Sequence, residues 1–226
     1  MPVQDDRRER QLIELFELTA IPGRAATDAK LDYRGMEILF EIKSTTKGSV
    51  TTARDVGAEH IQKWKKLHWL IGFYDDAQHL KYSIYVPPQG MAPWIKEKEE
   101  YIFPDVLLCK FAPDLLDERV LNSILGRKAS YSLSDARKIQ KRQFTAAEYR
   151  DNMDMHNGYS SERMLDILRK RCRYLLERGA TLNNPHIPET YFNGMEQITQ
   201  NLPTRLRELV DQSLANKTFS KDVASQ

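Results

Sequence analysis

Between Asp28 and Lys43 the chain alternates apolar and polar positions in two runs, LDY and MEILFEIK, set on either side of Arg34-Gly35. Glycine supplies the positive φ of a tight turn, so this pattern predicts a hairpin with strands over about 28–33 and 36–43. Upstream, Leu12, Leu15, Phe16 and Thr19 recur at helical spacing with charges between them, and Ile21-Pro22-Gly23 breaks the pattern. A first amphipathic helix over 6–19 is expected. Downstream, residues 44–54, STTKGSVTTAR, are small and polar and read as a loop that approaches a ligand closely. AEHIQKWKKL then places Ala58, Ile61 and Trp64 on a helical stripe, and HWLIGFY and KYSIYV read as strands. Trp64, Trp69, Phe73 and Tyr74 are assigned to the core.

Helix, hairpin, helix, strand, strand is the order of a mixed sheet with helices on its faces. After Pro87-Pro88 the pattern changes: APWIKEKEEY reads as a short helix and VLLCKF as a short strand. From Pro113 the periodicity is helical, punctuated by Gly126, Gly158, Gly179 and Pro185. The expected fold is therefore α/β (α+β), a mixed sheet flanked by helices over residues 1–112, followed by a mainly helical region over 113–226.

Pairing the hairpin through Arg34-Gly35 sets Tyr33 opposite Met36 and Asp28 opposite Glu41. With side chains alternating faces, Asp28, Lys30, Asp32, Glu37, Leu39, Glu41 and Lys43 share one face; Ala29, Leu31, Tyr33, Met36, Ile38, Phe40 and Ile42 share the other. Two carboxylates then face each other at about 5 Å, with an ammonium about 7 Å along the same face. Facing carboxylates repel unless protonated or bridged by a cation, and Mg²⁺, which takes oxygen ligands, is a suitable bridge. Lys43 beside it is placed to position or deprotonate a water, or to stabilise charge on a phosphate. The competing readings are an exposed strand face with a charge pair for Glu41 and Lys43, and a turn residue for Asp28. Asp32 shares the face but would pair with Glu37 near the turn, roughly 13 Å from the level of Glu41. A one-residue register slip would reopen the choice.

These residues carry a resemblance. Thr27-Asp28, twelve intervening residues, then Glu41-Ile42-Lys43 at the end of an apolar strand resembles the PD-(D/E)xK nuclease superfamily, which includes most type II restriction endonucleases. It covers roughly residues 6–86, and Thr27 stands where the motif has proline. The resemblance implies a restriction-endonuclease-like core in which Asp28, Glu41 and the main-chain carbonyl of Ile42 hold Mg²⁺ and Lys43 acts in water activation. It further implies double-stranded DNA as substrate, 5′-phosphate and 3′-hydroxyl products, a homodimer and a companion DNA methyltransferase. Glu14 and Glu17 on the first helix are candidates to join the site, against the simpler reading of a solvated face. His60 reads as a surface or cleft residue rather than a ligand.

Charge adds a location for DNA contacts. The chain carries only +2 overall, but residues 119–178 hold fourteen Lys and Arg against seven Asp and Glu. Met164, Leu165, Ile167, Leu168, Cys172, Leu175 and Leu176 form an expected core stripe there, with Arg169, Lys170 and Arg173 projecting outward. A solvated helix surface is the plain reading of such a face; with a nuclease centre upstream, phosphate neutralisation is the functional one. The helical region is accordingly expected to serve DNA recognition or dimerisation. Candidate DNA-binding residues are Ser44, Thr45, Lys47, Gln62, Arg137, Lys138, Lys141, Arg142, Arg163 and Lys170. Two cysteines, Cys109 and Cys172, provide neither a disulfide framework nor zinc spacing, so a cytoplasmic protein is expected. The sequence contains no run of about 18 apolar residues. Two other readings remain: a structure-specific repair or junction nuclease of the same superfamily, and a non-catalytic DNA-binding module.

Overall fold

The structure, a computed structural model, describes residues 6–23 and 27–223. In chain order the elements are α1 (Asp6–Leu15), β1 (Thr19–Ala20), β2 (Ala29–Tyr33), β3 (Met36–Thr45), β4 (Ser49–Thr51), α2 (Ala58–Trp64), β5 (His68–Tyr74), β6 (Leu80–Val86) and α3 (Pro88–Phe111). They continue with a 3-10 turn (Ala112–Leu115), α4 (Glu118–Leu125), α5 (Leu133–Gln140), α6 (Ala146–Asp151), α7 (Ser161–Gly179), β7 (His186–Pro188), a second 3-10 turn (Glu189–Phe192) and α8 (Leu202–Val223). The fold is mixed α/β with a largely helical C-terminal half. None of the described helices is long and apolar enough to cross a membrane.

The main sheet has the order β1-β2-β3-β5-β6. Arg34 and Gly35 both take positive φ, 50° and 76°, the turn that matches strand twist. β2 and β3 pair antiparallel from Tyr33↔Met36 to Ala29↔Phe40, the register expected from the sequence. β5 lies parallel to β3, with Glu41 beside Trp69 and Lys43 beside Ile71. One face of the sheet buries Phe40, Ile42, Leu70 and Tyr74 against Leu12 and Phe16 of α1 and Leu206 and Val210 of α8. The opposite face packs Trp69 edge-on against Trp64 of α2, with Trp94 of α3 completing the cluster. Gly72 of β5 lets α1 approach: a Cβ there would stand 2.8 Å from Leu12 Cδ1 and from Tyr74 Cε2.

Four expectations change. The first helix ends at Leu15, because Glu17 takes φ 53° and turns the chain into β1, so Thr19 leaves the stripe and Leu15 is exposed. Residues 44–54 are not all loop: β3 runs to Thr45, and Ser49–Thr51 pairs with His186–Pro188 far along the chain. VLLCKF is the last part of the 24-residue α3, with Leu107 and Leu108 exposed. A short apolar run does not distinguish strand from helix, and Pro104 inside the helix reads as a break. Finally, one compact unit comprises residues up to Glu100 together with those from Leu182 onward, and the other is Tyr101–Thr181. The division is therefore not at 112/113, since β7 and the apolar stripe of α8 complete the sheet unit.

The second unit has its own core, in which Leu121 and Leu125 of α4, Ala136 and Ile139 of α5, Tyr149 of α6 and Met164, Ile167 and Leu168 of α7 pack with Tyr131 and Tyr159. Capping boxes at Ser132 and Thr145 start α5 and α6. The expected α7 stripe stops short, with Leu175 exposed. Arg169 also departs from expectation: it is half-buried and donates from a terminal guanidinium N–H to Leu116 O at 2.9 Å, tying α7 to the end of the first 3-10 turn.

Candidate active site

β3 outlasts its partner β2, and the site forms where the ladder ends. Asp28 N donates to Phe40 O at 3.2 Å, the last backbone bond of that side. On this side the Ile42 N–H meets no β2 backbone, and the Asp28 carboxylate Oδ2 accepts its hydrogen bond at 2.8 Å. A side chain thus continues the ladder, which fixes the Asp28 carboxylate beside Glu41. Lys43 curls back over the same spot: its Nζ donates to Ile42 O at 2.8 Å and stands 3.0 Å from Glu41 Oε1 and 3.3 Å from Asp28 Oδ2. Glu9 Oε1 of α1 completes the ring at 3.9 Å.

The exposed-face reading of Glu41 and Lys43 does not hold, because their side chains are only 6% and 8% exposed. Asp28 is half-buried and belongs to the cluster rather than to a free turn. Asp32 lies at the far end of the hairpin, exposed and paired with Lys30, which also binds Glu37. Burial alone would lower the Lys43 pKa, but Glu41, Asp28 and Glu9 outweigh it and push it above the ordinary lysine value. Three carboxylates thus share one ammonium.

No known protein family matches the chain by sequence, and no curated protein matches it.

The donor set around Lys43 Nζ consists of three carboxylates and a main-chain carbonyl, all hard oxygens suited to Mg²⁺. Among the described residues, no group of three or more His, Cys, Asp or Glu side chains is in position to hold a metal as it stands. Here the carboxylates are spread around the ammonium at 3.0–3.9 Å. By residue chemistry the set fits a divalent ion; by present geometry Lys43 fills its centre.

Glu9, not Glu14 or Glu17, is the acidic residue that α1 delivers. Glu14 is exposed, and Glu17 sits past the helix end and pairs with Arg207 at 3.1 Å. The signal was present in the sequence: stepping the buried stripe back from Phe16 through Leu12 by helical spacing reaches Glu9. His60 of α2 is half-buried and makes an edge contact with Trp64, on the sheet face that carries Trp69 and hence Glu41. Burial depresses its pKa; the Glu41 and Asp28 carboxylates pull the other way, and Lys63 and Lys43 reinforce the depression. Two positions further round the helix, Gln62 faces elsewhere and donates to Glu99 Oε1, which also binds Lys65.

Of the loop candidates, Thr45 is buried and its hydroxyl is engaged in the turn, donating to Ser49 O at 2.7 Å and accepting from Lys47 N. Ser44 is half-buried and Lys47 exposed. In the second unit Arg137, Lys138, Lys141, Arg142 and Lys170 are exposed. Lys141 and Arg142 take successive left-handed conformations that end α5. Arg163 is half-buried near Asp166, and Lys170 reaches Asn152 Oδ1 at 3.4 Å.

Proposed function

We propose that the protein is a Mg²⁺-dependent endonuclease of double-stranded DNA of the PD-(D/E)xK type, acting as a type II restriction enzyme. The observation that carries this reading is the convergence of Asp28, Glu41, the Ile42 carbonyl and Lys43 at the buried end of a strand whose partner has stopped. A protein with merely decorative charges on this hairpin would leave Glu41 and Lys43 in water, whereas both are buried.

In this reading Asp28, Glu41 and the Ile42 carbonyl would hold the ion, with Glu9 as a further candidate oxygen donor. A divalent cation bound there would neutralise charge on the scissile phosphate and lower the pKa of the attacking water. Asp28 is oriented for this by the Ile42 N–H, so its carboxylate needs no rearrangement of the backbone. Lys43, an ammonium with three donors, orients the water in line with the leaving 3′-oxygen and stabilises charge on the phosphate. The products are a 5′-phosphate and a 3′-hydroxyl. The exposed Lys and Arg of the second unit supply phosphate contacts, and a homodimer would place one site on each strand of a two-fold symmetric sequence. A cytoplasmic location and a companion methyltransferase belong to the same proposal.

The test is incubation of purified protein with long mixed-sequence duplex DNA and Mg²⁺, with the product ends sequenced. Discrete fragments with one shared terminal sequence are expected, and Glu41→Ala and Lys43→Ala are expected to abolish them. Cutting confined to branched DNA would move the assignment to a structure-specific nuclease. Absence of Mg²⁺-dependent cleavage, or its survival in Glu41→Ala, overturns the catalytic assignment.

A further inference from the structure

We propose that the Lys43 ammonium is the resident counter-ion of the oxygen cage and that a divalent cation binds by displacing it. The inference rests on the reading of Asp28, Glu41 and Ile42 as metal donors and adds a property of Lys43 that a role in water activation does not require.

The geometry carries the argument. Nζ lies within 2.8–3.3 Å of one oxygen each from Ile42, Glu41 and Asp28, with Glu9 at 3.9 Å. Ile42 and Glu41 lie at hydrogen-bonding distance from the ammonium, Asp28 at the long end of that range, and Glu9 within ion-pairing reach only. Mg²⁺ binds oxygens at about 2.0–2.1 Å, so an ion drawing on the same atoms must take the space that Nζ occupies. Both cannot stand there. Lysine's flexible four-carbon stem allows the ammonium to leave while its Cα remains fixed in β3. The donor chemistry favours the exchange, since carboxylate and carbonyl oxygens are the ligands a hard dication takes.

Two consequences follow for the molecule. Without the ion, Lys43 suppresses repulsion among three clustered carboxylates and keeps the end of β3 ordered. With the ion, the freed ammonium is released at the site where a phosphate would lie. Lys43 therefore competes with the metal, the opposite of a residue that helps to hold it.

The experiment measures Mn²⁺ alone, without DNA, binding to the full chain, with free Mn²⁺ counted by its electron paramagnetic resonance signal. Lys43→Met is expected to bind Mn²⁺ roughly tenfold or more tightly than the parent, because the ion no longer breaks an ion-paired cluster. Lys66→Met, the same charge change at an exposed position, is expected to leave the affinity unchanged. Metal-free Lys43→Met is expected to melt below the parent and to be raised more by Mn²⁺. If Lys43→Met does not fold, Lys43→Gln carries the same expectation. Equal or weaker binding by the folded variant overturns the displacement, as does an equal gain in Lys66→Met or no binding by any of these proteins. DNA cleavage is scored separately. Tighter binding by Lys43→Met with no cleavage by the parent rejects the nuclease reading alone, and cleavage by the parent without tighter binding rejects the displacement alone.

Discussion

Replacing Glu41 by glutamine removes a charge from the cage without removing volume, so no cavity contributes to the outcome. Glu41 Oε1 makes the shortest carboxylate contact to Lys43, 3.0 Å, between side chains that are both under a tenth exposed. The amide oxygen still accepts from Nζ, and that bond stays charge-assisted because the ammonium keeps its charge, so only the ion-pair attraction is lost, about 1 kcal/mol. Relief of repulsion from Asp28 and Glu9 opposes this loss, but the ammonium lies between the carboxylates and the nearer attraction wins. Glu41→Ala loses the acceptor and the packing as well, and about 3 kcal/mol is expected. Urea unfolding followed by tryptophan fluorescence is the suitable assay, because Trp64, Trp69 and Trp94 are the chain's three tryptophans and all lie in the sheet unit. With a slope of about 2 kcal/mol per molar urea, Glu41→Gln should lower the midpoint by about 0.5 M. A midpoint equal to or above the parent's would refute the reasoning, since repulsion rather than ammonium pairing would then dominate the cage.

Three further outcomes are expected. Gly72→Ala should destabilise the sheet unit by about 1–3 kcal/mol, because the added methyl meets Leu12 and Tyr74; an unchanged urea midpoint would count against the packing of α1 described above. Glu9→Gln should weaken Mn²⁺ binding severalfold while Glu14→Gln leaves it unchanged, and the reverse order would place the wrong turn of α1 at the site. Lys43 holds its proton more tightly folded than unfolded, so its contribution to stability is complete below the ordinary lysine range and is lost as pH rises beyond about 10.4. Tyr85, whose buried hydroxyl also titrates high, adds an alkaline limb of its own, so the readout is the parent minus Lys43→Met. Identical alkaline profiles for the two would contradict the ion pairing.

The hairpin was legible because each of its signals is local. Arg34-Gly35 dictates the turn, the turn dictates the register, and the register places Glu41 and Lys43 on one face with Asp28. Their burial was not legible, since alternation names the polar face but not what covers it. Glu9 was hidden for a related reason: helical spacing puts it on the buried stripe, but a charged residue on a stripe is discounted until the sheet's ladder is seen to end beneath it. The pairing of Ser49–Thr51 with His186–Pro188 is a three-residue contact between distant segments, and no local pattern announces it. The length of α3 was obscured by Pro104, which the helix tolerates in its interior. Arg169 and Gln62 show the same limit: charge alone set Arg169 projecting outward, whereas it is half-buried and donates to Leu116 O, and Gln62, a DNA-binding candidate by polarity, donates to Glu99 Oε1.

The β4–β7 pairing also orders events during synthesis. By the time Glu100 has been made, the ribosome has supplied every residue of the oxygen cage, but the strand that secures the segment after Lys43 is still 86 codons away at His186. At roughly 5–20 residues per second, the nascent chain spends several seconds with its chemistry encoded and its scaffold unfinished. The sheet unit is thus a domain interrupted by another, and its completion waits for the chain's final quarter.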